Sequence, residues 1–304
     1  MKLLKGWLKM PTKKQHYIPR MLLKRFTTFH VPMRKPLIYQ YDKNKDIERL
    51  VDIYDICRKK NLYEIKNESG IISHKEINLI ENGFSRLESV WNKIIDKIEQ
   101  NKTINQNDRC RLGVLLVLQL IRVPEVMKFT SRWIYDTSMN IGKPVTQNEA
   151  DRYMKLASFV WGDVEPESNW ILNVLLNNIL ANKNIIIYRS EYDFILNGER
   201  PVLCLKLFDT NDINNCKWFL PITKNHCIGL VDEKGLPDEE IQLYVDINKD
   251  FTYFINERIF RNNGRFIYGR NPNLSRFNKQ TVIEKKDEEL YYEKLYHYII
   301  QSKY

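Results

Sequence analysis

The stretch "KKQHYIPRMLLKRF", residues 13–26, joins a basic segment and one histidine to an amphipathic run. Pro19 suits a first helical position, because the N–H group that it lacks would be unpaired there. Apolar side chains recur on one side of residues 20–29, which predicts a short amphipathic helix. His16 then lies just before the helix, where the positive end of the dipole favours a neutral imidazole. Such a ring accepts a proton or binds a metal, although a structural hydrogen-bonding role is the alternative.

The same region carries the excess charge of the chain. The 304 residues have a net charge of +10, yet residues 1–41 contain ten Lys or Arg and no acidic residue. A concentrated basic arm attracts phosphate backbones. We therefore predict a nucleic-acid partner, gripped by five basic side chains: Lys13, Lys14, Arg20, Lys24 and Arg25. The alternatives are a solvated leader that aids solubility, or weak membrane attachment through "MKLLKGWLKM" at residues 1–10.

Composition indicates an ordinary globular protein. Hydrophobic residues make up 43% and charged residues 28% of the chain, which excludes disordered and fibrous classes. The five cysteines are scattered without CxxC spacing, so free thiols in a reducing compartment are expected. The longest apolar run, residues 113–121, is too short to cross a bilayer, and nothing resembles an export signal. The expected location is the cytoplasm.

Hydrophobic periodicity predicts an α+β fold, with a predominantly helical body and a small antiparallel sheet in the C-terminal half. The expected order is a basic arm with the first helix over 1–41, a mainly helical region over 42–183, and a sheet with terminal helices over 184–304, all in one continuous domain. Predicted helices cover 74–100, 106–136 with a break at Pro124, 147–160, 166–183, 246–263 and 286–302. Predicted strands cover 37–42, 61–66, several short runs within 184–246, and an edge strand in "RFIYG". The terminal helix is a candidate homodimer contact.

Two helices bring together residue types that could form a site. Glu81 and Glu88 lie two turns apart on the first long helix, and Gln119 and Arg122 lie one turn apart on the second. A buried Arg122 requires an acidic partner, and the result could simply be an ion pair that fixes helix register. In the functional interpretation His16 joins them as a base or as a metal ligand. Glu81 and Glu88 then hold Mg²⁺ or Mn²⁺, and Arg122, positioned with Gln119, stabilises a phosphoryl oxyanion.

Other motifs add little. "NLYEIK" places Glu64 and Lys66 on a predicted strand, with Asp52 and Asp55 upstream, which is a faint version of the acid and Glu-x-Lys arrangement of metal-dependent nucleases. The chain has no P-loop, GxGxxG, HExxH or GxSxG motif.

Several of these pieces resemble an uncharacterised, mainly bacterial family, domain of unknown function 4238. Its members open with Gln-His-Tyr-Val/Ile-Pro and carry an acid-rich helix, a Gln-x-x-Arg-x-Pro helix, a Pro-Leu/Ile-Ser/Thr segment and a later Ile-Asn before a helix. The matching residues are Gln15 to Pro19, Leu23, Phe26, Glu81, Glu88, Gln119, Arg122, Pro124, 221–223, Ile247 and Asn248. The family tends to carry Ser/Thr-Asp-Asn-Pro where this chain has "NGERP" at 197–201, so Glu199 is the only nearby acid.

Together these features favour a nucleic-acid-directed, metal-dependent hydrolase of the kind used in phage defence or as a toxin. The alternative is a non-enzymatic module that binds nucleic acid or an acidic protein, with the polar cluster ordering its core. The two interpretations differ in whether the His16 imidazole meets the carboxylates in space.

Overall fold

The structure of the protein is a computed structural model. It describes residues 14–28, 36–72, 76–160, 170–180, 183–206, 216–232 and 244–278. Residues 1–13, which include Lys13 and the leader, lie outside this part, and so do residues 286–302, where a terminal helix was predicted.

The helices lie close to the predicted positions. They are α1 (Arg20–Lys24), α2 (Leu79–Glu99), α3 (Gln106–Ile121), α4 (Pro124–Asn140), α5 (Gln147–Phe159), α6 (Trp170–Leu180) and α7 (Lys249–Arg261). The predicted break at Pro124 is confirmed, because Pro124 opens α4 at the position where its missing N–H is harmless. The buried side chains of α2 form a stripe at helical spacing that runs from Ile80 to Ile98. Helix α1 is shorter than expected, and Pro19 caps it rather than starting it.

The prediction of a predominantly helical body with one small antiparallel sheet in the C-terminal half is wrong, because strands occur in both halves of the described chain. The strands of the described residues are β1 (Lys14–His16), β2 (Leu37–Asp42), β3 (Ile47–Asp52), β4 (Arg58–Lys60), β5 (Lys183–Arg189), β6 (Leu196–Asn197), β7 (Leu203–Lys206), β8 (Cys216–Pro221), β9 (His226–Asp232), β10 (Tyr244–Asp246) and β11 (Phe266–Gly269). They form three sheets: β1-β4, β10-β5-β9-β8-β7 and β3-β2-β11-β6. Strand β10 is parallel to β5, so the five-stranded sheet is mixed.

Two strand predictions fail for the same physical reason, which is that sheet position depends on distant partners. Strand β11, expected at an edge, lies between β2 and β6 and joins the two ends of the chain. No strand forms over residues 61–66. Strand β4 instead ends at Lys60, and Glu64 lies in an irregular segment with its side chain buried.

The buried apolar side chains of the described residues form one cluster, which runs from Ile18 to Phe277. It includes Leu22 of α1 and Phe26, which follows α1, so the opening segment packs into the body of the fold. Within the part of the chain that the structure describes, no helix is long and apolar enough to span a membrane.

Candidate functional site

The opening segment forms strand β1, which pairs with β4 in an antiparallel ribbon. Lys14 lies opposite Lys60, Gln15 opposite Lys59 and His16 opposite Arg58. Alternate strand residues face opposite sides. Gln15 is fully buried, whereas Lys14 is exposed and His16 is partly exposed. One face of this three-residue strand therefore belongs to the core and the other to the surface.

The inward face is held by hydrogen bonds from distant residues. The Gln15 amide donates to a Glu64 carboxylate oxygen at 2.8 Å, and its own oxygen accepts from the Tyr63 N–H at 2.7 Å. The Gln119 amide donates to the Tyr17 carbonyl at 2.7 Å. The side-chain oxygen of Gln119 is buried without a partner among the described residues. Gln15 and Gln119 thus anchor backbone, and neither faces an open site.

Arg122 is the centre of the predicted cluster and is 1% exposed. Its guanidinium donates to the Tyr63 hydroxyl at 3.0 Å, to Glu88 at 3.2 Å and to the backbone carbonyl of His16 at 2.8 Å. It also lies over the Phe84 ring, 4.1 Å from the centroid. Each of the three guanidinium nitrogens donates a hydrogen bond, so the arginine fastens the opening motif to α2 and α3.

His16 contributes its carbonyl, and not its imidazole, to this cluster. Burial and the positive charge of Arg20 lower the pKa of the ring to about 4, although a hydrogen bond to the Ile53 backbone raises it; Arg58 and Arg122 lower it further. The Nε2 atom is buried and has no partner among the residues described. The ring is therefore neutral at pH 7, as expected, and it lies among cations.

The two carboxylates differ in their surroundings. Glu88 forms an ion pair with Arg122, and its side chain is 25% exposed. Glu81 makes no hydrogen bond or ion pair within the described residues. Burial raises the pKa of Glu81, Arg122 and Arg20 oppose this, and Glu88 adds to it. Glu81 is consequently a half-buried carboxyl whose charged form is disfavoured.

The predicted Mg²⁺ or Mn²⁺ site requires ligands to converge. Across the described ranges, no group of three or more His, Cys, Asp or Glu side chains could hold a metal ion. Glu88 is already bound by Arg122, whose charge repels a cation. The Glu81 and Glu88 carboxylates do not by themselves fit a divalent metal.

The outward face is a basic surface that contains Lys14, Arg20, Arg58 and Lys60. Lys59 lies opposite Gln15, on the other face of the ribbon, and is also exposed. We call these five residues the basic ribbon. All are exposed except Arg58, which is partly exposed and pairs with Asp55. Within the described chain, no carboxylate pairs with Lys14, Lys59 or Lys60. Like charges directly opposite each other in a ribbon are destabilising, so the Lys14–Lys60 pair has a cost that an anion would relieve.

The other predicted nucleic-acid contacts differ in whether their side chains are available to a ligand. Lys24 is exposed on α1. Arg25 is not available, because it forms ion pairs with Asp96 and Glu99 and donates to Asn92 at 2.7 Å. Lys13 lies outside the described residues. Sequence reasoning missed Lys59 and Lys60, although the run "RKK" at 58–60 was a visible signal.

The substituted "NGERP" segment has a structural explanation. The Asn197 side chain accepts from the N–H groups of Glu199 and Arg200 at 3.0 and 2.9 Å. Glu199 accepts from the Arg265 N–H at 2.6 Å. The acid is therefore used to close a turn against β11.

A comparison with models of protein families identifies the family of this chain. A family model described as "Protein of unknown function (DUF4238)" matches residues 14–273. No curated protein and no solved structure gives a significant match to the chain.

Proposed function

Because the chain belongs to the DUF4238 family, which has no assigned reaction, we propose a function from its own surface: it binds nucleic acid through the basic ribbon. The observation that carries the proposal is the directly opposed Lys14–Lys60 pair, exposed and without acidic partners among the described residues. Phosphates would neutralise both ammonium groups and release counterions. Residues 1–13 add four more lysines immediately before the ribbon.

The pairing of the predicted catalytic cluster supports binding over catalysis. Arg122, Gln119 and Gln15 each hold backbone or another side chain within the fold. A sealed cluster of this kind orders the ribbon and leaves the exposed face for a ligand. The non-enzymatic module is therefore our leading proposal.

Salt-dependent binding tests it. Fluorescence anisotropy of a labelled thymidine oligomer is measured with the full chain over a range of KCl concentrations. Each phosphate contact contributes a slope of about −0.7 to log K against log [salt] for single strands. The double variant Lys14→Gln/Lys60→Gln should make the slope shallower by about 1.4. The matched control is Lys128→Gln/Lys143→Gln, two exposed lysines outside the ribbon, and it should leave the slope unchanged. Absence of salt-dependent binding, or equal slopes in the two double variants, would overturn the proposal.

One observation favours hydrolysis as a second candidate. Glu81 is half-buried, has a raised pKa and feels the charge of Arg20, a member of the basic ribbon. A carboxyl in that state is suited to general acid–base catalysis on a bound phosphodiester. The hypothesis of a defence or toxin effector depends on this candidate.

Cleavage separates the two candidates. Labelled DNA and RNA are incubated with the full chain, with and without Mg²⁺ or Mn²⁺, and products are resolved on a denaturing gel. The hydrolase candidate predicts cleavage that Glu81→Gln abolishes while oligonucleotide binding persists. Binding without cleavage under every condition contradicts it and leaves the binding proposal intact.

A further inference from the structure

We infer that the basic ribbon takes single-stranded nucleic acid and that Tyr54 is the platform on which one base stacks. This inference rests on the proposed function and names its ligand class. It comes from an exposed aromatic ring at the end of the ribbon, a feature that electrostatic binding alone does not require.

Tyr54 lies in the connection between β3 and β4 and is 36% exposed. The Arg20 guanidinium lies over its ring, 5.3 Å from the centroid. Bases stack on tyrosine rings and on guanidinium planes. Arg20 covers one face of the Tyr54 ring, so a base would stack on the opposite face of the ring or on the outer face of the guanidinium.

The backbone around Tyr54 is held firmly. Its N–H donates to the Asp52 side chain at 2.9 Å. The neighbouring Ile53 is fully buried, Ile56 is 7% exposed, and the Ile53 N–H donates to the Pro36 carbonyl at 3.2 Å. A ring on such an anchored connection loses little entropy when a base stacks on it.

The basic side chains of the ribbon are arranged in a row that ends near the Tyr54 ring. The Lys14–Lys60 pair comes first along the ribbon, and the His16–Arg58 pair follows two residues further, about 6.6 Å away. Arg58 lies directly opposite His16 on the ribbon, and the Arg20 guanidinium lies over the Tyr54 ring. A strand whose phosphates contact the lysines can therefore continue with a base at Tyr54.

This arrangement discriminates between single and double strands. In a duplex each base is stacked between its neighbours, and its face is unavailable to a side chain. A single strand can turn one base out at little cost. Phosphate contacts alone do not favour the single strand, because a duplex has the higher charge density, so a preference for the single strand would arise at Tyr54.

The test compares three ligands at one salt concentration: a thymidine oligomer, an abasic oligomer of equal length and a duplex. We expect the thymidine oligomer to bind most tightly to the full chain. Tyr54→Ala should weaken its binding roughly tenfold and leave the abasic and duplex affinities unchanged. Tyr54→Phe keeps the ring and should restore the affinity.

Tyr192→Ala is the matched control, because Tyr192 is 41% exposed and also lies near a cation, with the Lys249 ammonium 5.9 Å from its ring. It should change none of the affinities. If Tyr54→Ala weakens the thymidine and abasic ligands equally, or if the duplex binds as tightly as the thymidine oligomer, stacking at Tyr54 is wrong while binding by the ribbon stands. If no oligonucleotide binds, the proposed function itself has failed.

Discussion

Glu81 and Glu88 both interact electrostatically with the buried Arg122 guanidinium. A double-mutant cycle on the two carboxylates measures how far their contributions to the free energy of unfolding depend on each other. Glu88 forms the ion pair, but it is 25% exposed while Arg122 is almost completely buried. Exposed pairs contribute up to about 1 kcal/mol, and removing one partner of a buried pair costs about 3–5 kcal/mol. For a pair buried on one side only, Glu88→Gln should reduce the free energy of unfolding by about 2 kcal/mol.

Glu81→Gln should have the opposite sign. The raised pKa of Glu81 means that folding disfavours its charged form, so the neutral amide stabilises the protein at pH 7. The folded state binds the Glu81 proton more tightly than the unfolded state does. The gain from Glu81→Gln is therefore present above the folded pKa and disappears as the pH falls below the unfolded value.

The double variant is the informative one. With Glu88 absent, Glu81 is the remaining carboxylate known to act on Arg122. Losing both leaves the guanidinium without a countercharge, and we expect a cost of about 3–5 kcal/mol. Because Glu81→Gln alone is stabilising, the two single effects sum to less than about 2 kcal/mol, and the double effect should exceed that sum by at least about 1–3 kcal/mol.

Urea unfolding followed by circular dichroism at pH 7 is the appropriate assay, because urea is uncharged and does not screen the pair. If the two single changes in unfolding free energy add up to the double change within about 0.5 kcal/mol, Glu81 and Glu88 do not jointly neutralise Arg122. A destabilising Glu81→Gln at pH 7 would refute the assignment of Glu81 as a disfavoured charge.

Two further predictions concern pH and packing. The pKa of His16 is lowered to about 4, so as the pH falls the unfolded state binds a proton at this ring before the folded state does. The stability that depends on the neutral ring is therefore complete above pH 6.5 and is lost as the pH falls towards 4. His16→Asn should flatten thermal stability between these values, measured as the midpoint of unfolding, and an unchanged slope would contradict a buried neutral ring. A β-carbon at Gly198 would overlap the Tyr268 ring, so Gly198→Ala should cost about 1–3 kcal/mol. The control Gly83→Ala, on an exposed part of α2 with open space around it, should stabilise by up to about 1 kcal/mol; equal effects at the two glycines would be the contrary result.

The helices could be predicted because their signals are local. The apolar stripe on α2 repeats over about five turns, and Pro124 is a local signal for the start of α4. The short strands could not. Strand β1 has three residues, too few for alternation to show, and its partner β4 lies more than forty residues away. A run such as residues 61–66 has the composition of a strand but no neighbouring strand to pair with.

The sequence predicted which residue types meet in the candidate site, but not which of their atoms form the contacts. Arg122 and Glu88 form the expected ion pair, because a buried guanidinium needs a carboxylate. The sequence cannot indicate that His16 meets Arg122 through its carbonyl, since every residue carries that group. Nor can it indicate that Arg25 is neutralised by acids from α2.

Strand β1 accounts both for the residues of the opening motif that pack into the core and for the proposed binding face. Because side chains alternate along β1, Gln15 points into the core, where Glu64 and Tyr63 hold it, while Lys14 and His16 point to the other side. The inward contacts from Arg122 and Gln119 end on the backbone of His16 and Tyr17, and so they fix the ribbon without occupying its outer face. Removing an inward group should therefore abolish binding by unfolding the ribbon, which a catalytic role would also predict. Only the outward lysines and Tyr54 can distinguish a binding surface from a well-packed beginning of the fold.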